Sequence, residues 1–215
     1  MTVFPESMSE NPYYYFSPAF KDIIFRGMVE VIGRSDTNTV LKMSGTLFLG
    51  GKSLSPDEDI AISYHDLAQI QVTLQELYGL QGGQGLAWKM GRACFTIGLR
   101  TYGKKLGLMD LDYRLLPLSH KLKVGLQRIA QLLNQSGVST FRLKEDAQKY
   151  YWIVEKCPLC WHHHTNNPSC QFQSGTLQEY FYWASGGKNY NLRETECIAN
   201  GAQACVFAIN KIPLE

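Results

Sequence analysis

The sequence predicts an α+β fold, with N-terminal helices followed by a β-rich half built on an antiparallel sheet. Three observations predict it. Up to about residue 135, apolar residues recur at three- and four-residue intervals, the period of an amphipathic helix. From residue 140 onward, short runs rich in Val, Ile, Tyr, Phe and Trp, bounded by turn residues, replace that period. The chain has 215 residues, of which 45% are apolar, and a net charge of +2, which suits a packed core and excludes a mainly disordered polypeptide.

The elements follow in order. Ser17-Pro18 reads as an N-cap and first helical residue, and Phe20, Ile23, Ile24, Met28 and Val31 form one face of a helix that Gly33 ends. A shorter helix is predicted over 37–44, and 45–62 reads as loop. Ser63 and Asp66 form a capping box for a helix over 63–78, closed by Gly79 in the left-handed position. Beyond a glycine-rich link, a helix over 84–105 carries Gly91 and Gly98 inside it, which points to close packing or to room for a ligand. Leu122, Leu126, Ile129 and Leu133 mark a helix over 118–134, ending at Gly137. A soft boundary lies near 136–140. Strands are predicted over 140–146 and 147–156, a helix over 169–184, and strands over 189–197 and 204–209 joined by the turn ANGAQ. Residues 1–60 read as an N-terminal helical elaboration and a candidate dimer contact, and 61–215 as the main domain.

Six cysteines are the most informative part of the composition: Cys94, Cys157, Cys160, Cys170, Cys197 and Cys205. The N-terminus carries Pro5, Glu6 and Glu10 and no apolar stretch, so a secretory signal is not expected and a cytoplasmic location is. In a reducing compartment, cysteines clustered toward one end point to metal rather than to disulfides. Cys170 opens a helix, Glu194 and Cys197 are three apart, and Cys205 returns across the hairpin. On a plain strand, 194 and 197 point to opposite faces, so a bulge or turn beginning near Cys197 is needed to aim them together. Three thiolates and a carboxylate suit a tetrahedral, closed and therefore structural zinc site, which would staple the C-terminal hairpin. The competing reading is that these are ordinary buried cysteines. Cys157 and Cys160 have C-x-x-C spacing and are candidates for a second metal or a redox pair, with a packed loop the simpler alternative.

Other classes are excluded or disfavoured. Twenty-one basic against nineteen acidic residues make no phosphate-neutralising field, so nucleic acid is not an expected partner. No apolar window is long enough for a membrane span. Gly79, Gly82, Gly83 and Gly85 match neither a Walker nor a dinucleotide pattern. No catalytic triad or carboxylate pair stands out, and no catalytic residue is assigned. His162, His163 and His164 read as an exposed polar loop. Trp88, Phe95, Tyr102, Phe172, Tyr180, Phe181 and Trp183 are candidates to line an apolar pocket, or to be ordinary core.

The segments CQFQSGTLQEYFYWASGG and RETECIANGAQACVF resemble the C-terminal signature of the 4-vinyl reductase (hydrocarbon-binding) domain family. That family is related to zinc-binding sensor domains of aromatic-responsive activators and to small subunits of the TRAPP complex. The resemblance implies a zinc held by Cys170, Glu194, Cys197 and Cys205. ELYGLQGGQGLAWKMGRACF and YRLLPLSHKLKVGLQRIA resemble free-standing members from phototrophs, so the resemblance covers roughly 70–210. It implies a non-catalytic binder of a hydrophobic molecule, a tetrapyrrole of the chlorophyll type. Such a protein would act in pigment handling or photosystem assembly, as a homodimer, with photosystem assembly proteins as partners and a location peripheral to a photosynthetic membrane. Two alternatives stay open: a vinyl reductase of chlorophyll biosynthesis, for which no nucleotide or flavin fingerprint is present, and a ligand sensor acting through a partner protein.

Overall fold

The computed structural model describes residues 15–16, 18–46, 62–136 and 139–214. The Ser17 cap, the acidic stretch near 57–59 and Gly137 lie outside the described residues. A short strand β1 (Tyr15–Phe16) pairs antiparallel with β2 (Ile62–Ser63). Between them in the chain runs α1 (Pro18–Met43), and after them α2 (Tyr64–Tyr102), a one-turn α3 (Leu111–Arg114) and α4 (Leu118–Ser136). The second half contains β3 (Thr140–Glu145), β4 (Lys149–Glu155), α5 (Gln171–Ala184), β5 (Tyr190–Glu196) and β6 (Cys205–Pro213). The four long strands form one antiparallel sheet in the order β3-β4-β6-β5. The fold is therefore α+β, helices first.

Local chemistry sets several boundaries where the sequence places them. Gly33 breaks α1 at φ 76°, and Gly79 breaks α2 at φ 73°, conformations that L side chains rarely adopt. Ser63 accepts from the Asp66 amide at 3.0 Å while the Asp66 carboxylate accepts from the Ser63 amide at 2.9 Å, completing the capping box. One expectation changes. Residues 80–83 are helical rather than a link, so the chain kinks at Gly79 and resumes at once. Packing across the kink offsets glycine's low helix propensity here: Gly83 lies so close to the backbone of Leu74 and Gln75 that an added Cβ would sit 2.5 Å from it.

Strand β4 alternates strictly, with Tyr150, Trp152 and Val154 buried and their neighbours half-exposed. That inner face, with Phe207 and Ile209 of β6, packs against the helices. α5 lies directly on α2. A Cβ on Gly91 would stand 2.0 Å from the Phe172 carbonyl oxygen, and one on Gly175 would stand 1.9 Å from that of Trp88. The two helices therefore touch backbone to backbone at two reciprocal glycines. α1 shares the same core through Ile24, Met28, Val40 and Leu41.

Gly91→Ala is expected to cost about 3 kcal/mol, since no flexible side chain can yield to the new methyl. Gly85→Ala, on an exposed helical position with open space around it, is expected to stabilise by about 0.5–1 kcal/mol. Urea denaturation of both variants measures the difference.

Candidate metal centre and adjoining cavity

Three chain segments meet at the cysteines. The connection from β4 to α5 supplies Cys157 and Cys160, and Cys170 occupies the N-cap position of α5. Glu194 stands on β5, Cys197 just beyond it, and Cys205 opens β6. The turn needed to aim Glu194 and Cys197 together is present. The β5–β6 register shifts between Glu194 and Glu196, a 3-10 turn covers Ile198–Asn200, and Gly201 closes it at φ 85°.

All five thiols are buried and none forms a disulfide. Cys170, Cys197 and Cys205 make a near-equilateral triangle with Sγ separations of 3.9, 3.9 and 3.8 Å. Zinc–sulfur bonds of about 2.3 Å in a tetrahedron put the sulfurs about 3.8 Å apart, so the triangle has the edge such an ion requires. Glu194 and the three thiols place their ligand atoms within 4.8 Å of one another. The Cys170 amide donates to Glu194 Oε2 at 2.8 Å, which orients the carboxylate. Its other oxygen, Oε1, is buried with no hydrogen-bond partner among the described residues. An orphaned buried carboxylate oxygen is costly unless a cation or proton satisfies it. Burial, then the charge of Cys197, pushes the Glu194 carboxyl up to about 8. The donor set thus fits a soft divalent ion.

Cys157 and Cys160 do not form a separate site. Cys157 Sγ lies 3.6 Å from Cys170 Sγ, and Cys160 Sγ lies 3.5 Å from Cys205 Sγ. Cys157, Cys160, Cys170 and Cys205 form a second set of four mutually close ligand atoms. The simple packed-loop reading of this pair is therefore replaced. The C-x-x-C spacing is the available signal. What the sequence does not supply is the strand order: β4 pairs with β6, with Val154 opposite Cys205, so the chain leaving β4 passes beside Cys205. Contacts with Cys157 and then the other thiols hold the Cys160 thiol well below its ordinary value, whereas burial pushes Cys157 up. Lys156 and His162 bracket the turn at φ 53° and 56°, left-handed backbone unusual outside glycine. Gln71 of α2 anchors it, its Nε2 donating to the Leu159 carbonyl at 2.7 Å.

Beside the cysteines lies an apolar cavity, open in part to solvent, with about 1070 Å³ of space between α1, α2, α4, α5 and the sheet. Among the predicted pocket residues, Phe95, Tyr102, Phe172 and Tyr180 stand on its wall. Trp88, Phe181 and Trp183 do not. Trp88 lies under the Arg92 guanidinium, Phe181 packs against Tyr150 and Tyr190, and Trp183 stacks on Tyr113. The helical period places a residue on a face but does not say whether that face meets a void or a neighbour. By that period Phe20, Ile23, Leu126, Ile129 and Leu133 read as core faces, yet they complete the wall. Gly91 and Gly98 divide the two roles the sequence allows, since Gly91 meets α5 and Gly98 borders the cavity. Cys94, alone among the cysteines, lies on this wall and donates to the Ile23 carbonyl at 3.4 Å. Burial, then Glu30, raises its thiol above the ordinary range. Thr176 and Tyr180 likewise donate to backbone carbonyls, of Phe172 at 3.0 Å and Leu122 at 2.7 Å. These polar groups are satisfied within the protein, so the wall they share favours an apolar occupant. Pro158 and Leu159, inside the cysteine turn, are also part of the wall.

Tyr180→Phe is expected to cost about 1 kcal/mol through the lost bond to Leu122. Thermal or urea unfolding reads it directly.

Residues 151–211 match the family model of the 4-vinyl reductase domain. Comparison with curated proteins found no match. Among solved structures, the chain is similar to an H-NOX protein from S. oneidensis in the Fe(II)NO ligation state, at 12% identity and a TM-score of 0.57, covering 90% of this chain and 99% of that one. It is also similar to the Fe(II) unliganded H-NOX protein from K. algicida, at 14% identity and a TM-score of 0.53, covering 90% and 96%. A third similar structure, concerned with heme redox potential and protein-induced porphyrin distortion, shows 14% identity and a TM-score of 0.54 over 92% and 96%. At these identities the likeness establishes a shared fold. No described helix is long and apolar enough to cross a membrane.

Proposed function

With the 4-vinyl reductase domain over residues 151–211 as premise, we propose that this chain is a non-catalytic, metal-containing binding protein for an apolar small molecule. The observation that carries this reading is that Pro158 and Leu159, between Cys157 and Cys160, form part of the cavity wall. The metal centre and the cavity therefore share a structural element. Zinc suits the thiolate-rich donors, with Cys170, Glu194, Cys197 and Cys205 as ligands. A closed ion of this kind supplies structural cross-linking rather than hydrolysis. The residues do the rest: Cys170 ties the start of α5 to the hairpin, and the Cys157–Cys160 turn holds Leu159 against the cavity.

The ligand we assign is a tetrapyrrole of the chlorophyll type, in pigment handling or photosystem assembly. The family resemblance supports this class, as does the fold shared with H-NOX proteins, one of them described in terms of heme and porphyrin distortion. The volume lies at the upper end of ordinary small-molecule pockets, about 300–1,000 Å³. No histidine or methionine stands on the described wall, so a heme held through either axial ligand does not fit. A ring in this cavity is held by packing against Phe95, Phe172 and their neighbours. A polar cleft containing Lys105 and Arg128 shares Leu106 and Leu132 with the cavity. That arrangement suits a ligand with an apolar body and one acidic or polar group. The homodimer and the photosystem partner rest on the resemblance alone.

Native mass spectrometry and the absorption spectrum of protein purified gently from pigment-containing cells test the proposal. Bound pigment or a related apolar molecule is expected, and Gly98→Phe should abolish its retention while leaving a folded chain. A preparation carrying neither pigment nor lipid overturns the reading. Because the cysteine turn forms part of the wall, stripping the metal with a chelator is expected to weaken ligand binding about 10-fold, within the usual range for coupled sites. Titration of the same ligand before and after stripping measures the factor.

A further inference from the structure

We propose that the cysteine cluster holds two divalent ions of the zinc type, bridged by the shared thiolates of Cys170 and Cys205. The proposal extends the single-ion reading above and can fail without it. It rests first on the count of donors. Five thiols and one carboxylate converge, whereas a tetrahedral zinc takes four ligands. The donors do not form one crowded shell. They divide into two sets of four, Cys157, Cys160, Cys170 and Cys205 on one side and Cys170, Glu194, Cys197 and Cys205 on the other. The sets share one edge, the Cys170–Cys205 pair, whose sulfurs stand 3.8 Å apart. A thiolate has lone pairs enough to bind two ions, so a shared edge is the arrangement of a doubly bridged pair.

Either single-ion alternative leaves buried donors unused. An ion in the four-cysteine set leaves Glu194 Oε1 buried and without a hydrogen-bond partner among the described residues. An ion in the other set leaves Cys157 and Cys160 packed at 3.6 and 3.5 Å against ligating sulfurs. That spacing is close to the edge of a second coordination tetrahedron, about 3.8 Å. Charge points the same way. Six ionised donors around one divalent ion leave a formal charge of about −4 in a buried space, and a second ion reduces it to about −2, the charge of an ordinary four-cysteine zinc site. The Ile198 amide, which donates to Cys205 Sγ at 3.4 Å, offsets part of the remainder. The backbone on either side of the Cys157–Cys160 turn takes the left-handed conformation at Lys156 and His162. Filling the second set offsets that strain with metal–sulfur bonds.

The test uses the full chain as purified, with metal analysis against protein concentration and native mass spectrometry in parallel. Two zinc ions per chain are expected. The double variant Cys157→Ser/Cys160→Ser should lower the count from two to one, as should Glu194→Gln/Cys197→Ser. One ion per chain in the unmodified protein overturns the bridged pair and leaves the single-ion reading intact, while none overturns both. Two ions unaffected by either double variant also overturn the assignment. Should the variants fail to fold, the unmodified chain reconstituted with cadmium-113 decides. Two resonances are expected, one from an all-sulfur site and one from a site with an oxygen ligand, and a single resonance overturns the proposal.

Discussion

The reciprocal contact between α2 and α5 governs how close the two helices can come. Gly91 faces the Phe172 carbonyl and Gly175 faces that of Trp88, each at a distance that leaves no room for a methyl group. Backbone-to-backbone contact of this kind sets the position of α5 along α2 far more tightly than interdigitated side chains would. Two consequences follow. Cys170, one residue before α5, is delivered to the end of the sheet, and the aromatic faces of α2 and α5 diverge from the contact to leave a cavity beside it.

The cysteine cluster is the product of that placement and of strand order. β4 runs next to β6, so the chain leaving β4 at Cys157 passes the first residue of β6, Cys205. The irregularity at the end of β5 turns Cys197 back toward Glu194. Helix, turn and hairpin each contribute donors to one buried point. In the unfolded chain these donors are strung out from Cys157 to Cys205, so a bound ion favours the folded arrangement over the open chain. The centre is best understood as a cross-link among elements that otherwise meet only at their ends.

The cavity borrows its wall from the same cross-link. Leu159 reaches it from the cysteine turn, and Gln71 holds the Leu159 carbonyl from the α2 side. Its polar side chains Cys94, Thr176 and Tyr180 are turned to backbone carbonyls. The interior therefore presents hydrocarbon and aromatic edges, while Lys105 and Arg128 lie in the cleft beside it. An apolar molecule with a polar end suits such a site on physical grounds, independent of any relative.

Much of the local structure is legible in the residues. The Ser63–Asp66 capping box, the left-handed glycines at 33 and 79, the alternation of β4 and the turn after Cys197 all follow from short-range chemistry, in which spacing decides the outcome. Cys170, Glu194, Cys197 and Cys205 can be grouped from sequence because a hairpin and one helix start suffice to join them. The membership of Cys157 and Cys160 cannot, because it depends on β4 pairing with β6, a choice among strands distant in sequence. The cavity is legible only in part for a similar reason. A helical period shows which residues turn inward, and Phe95 and Trp183 read alike on that evidence. Whether an inward residue meets a neighbour or an open space depends on how far apart the helices stand, and here glycine contacts between two helices decide that distance.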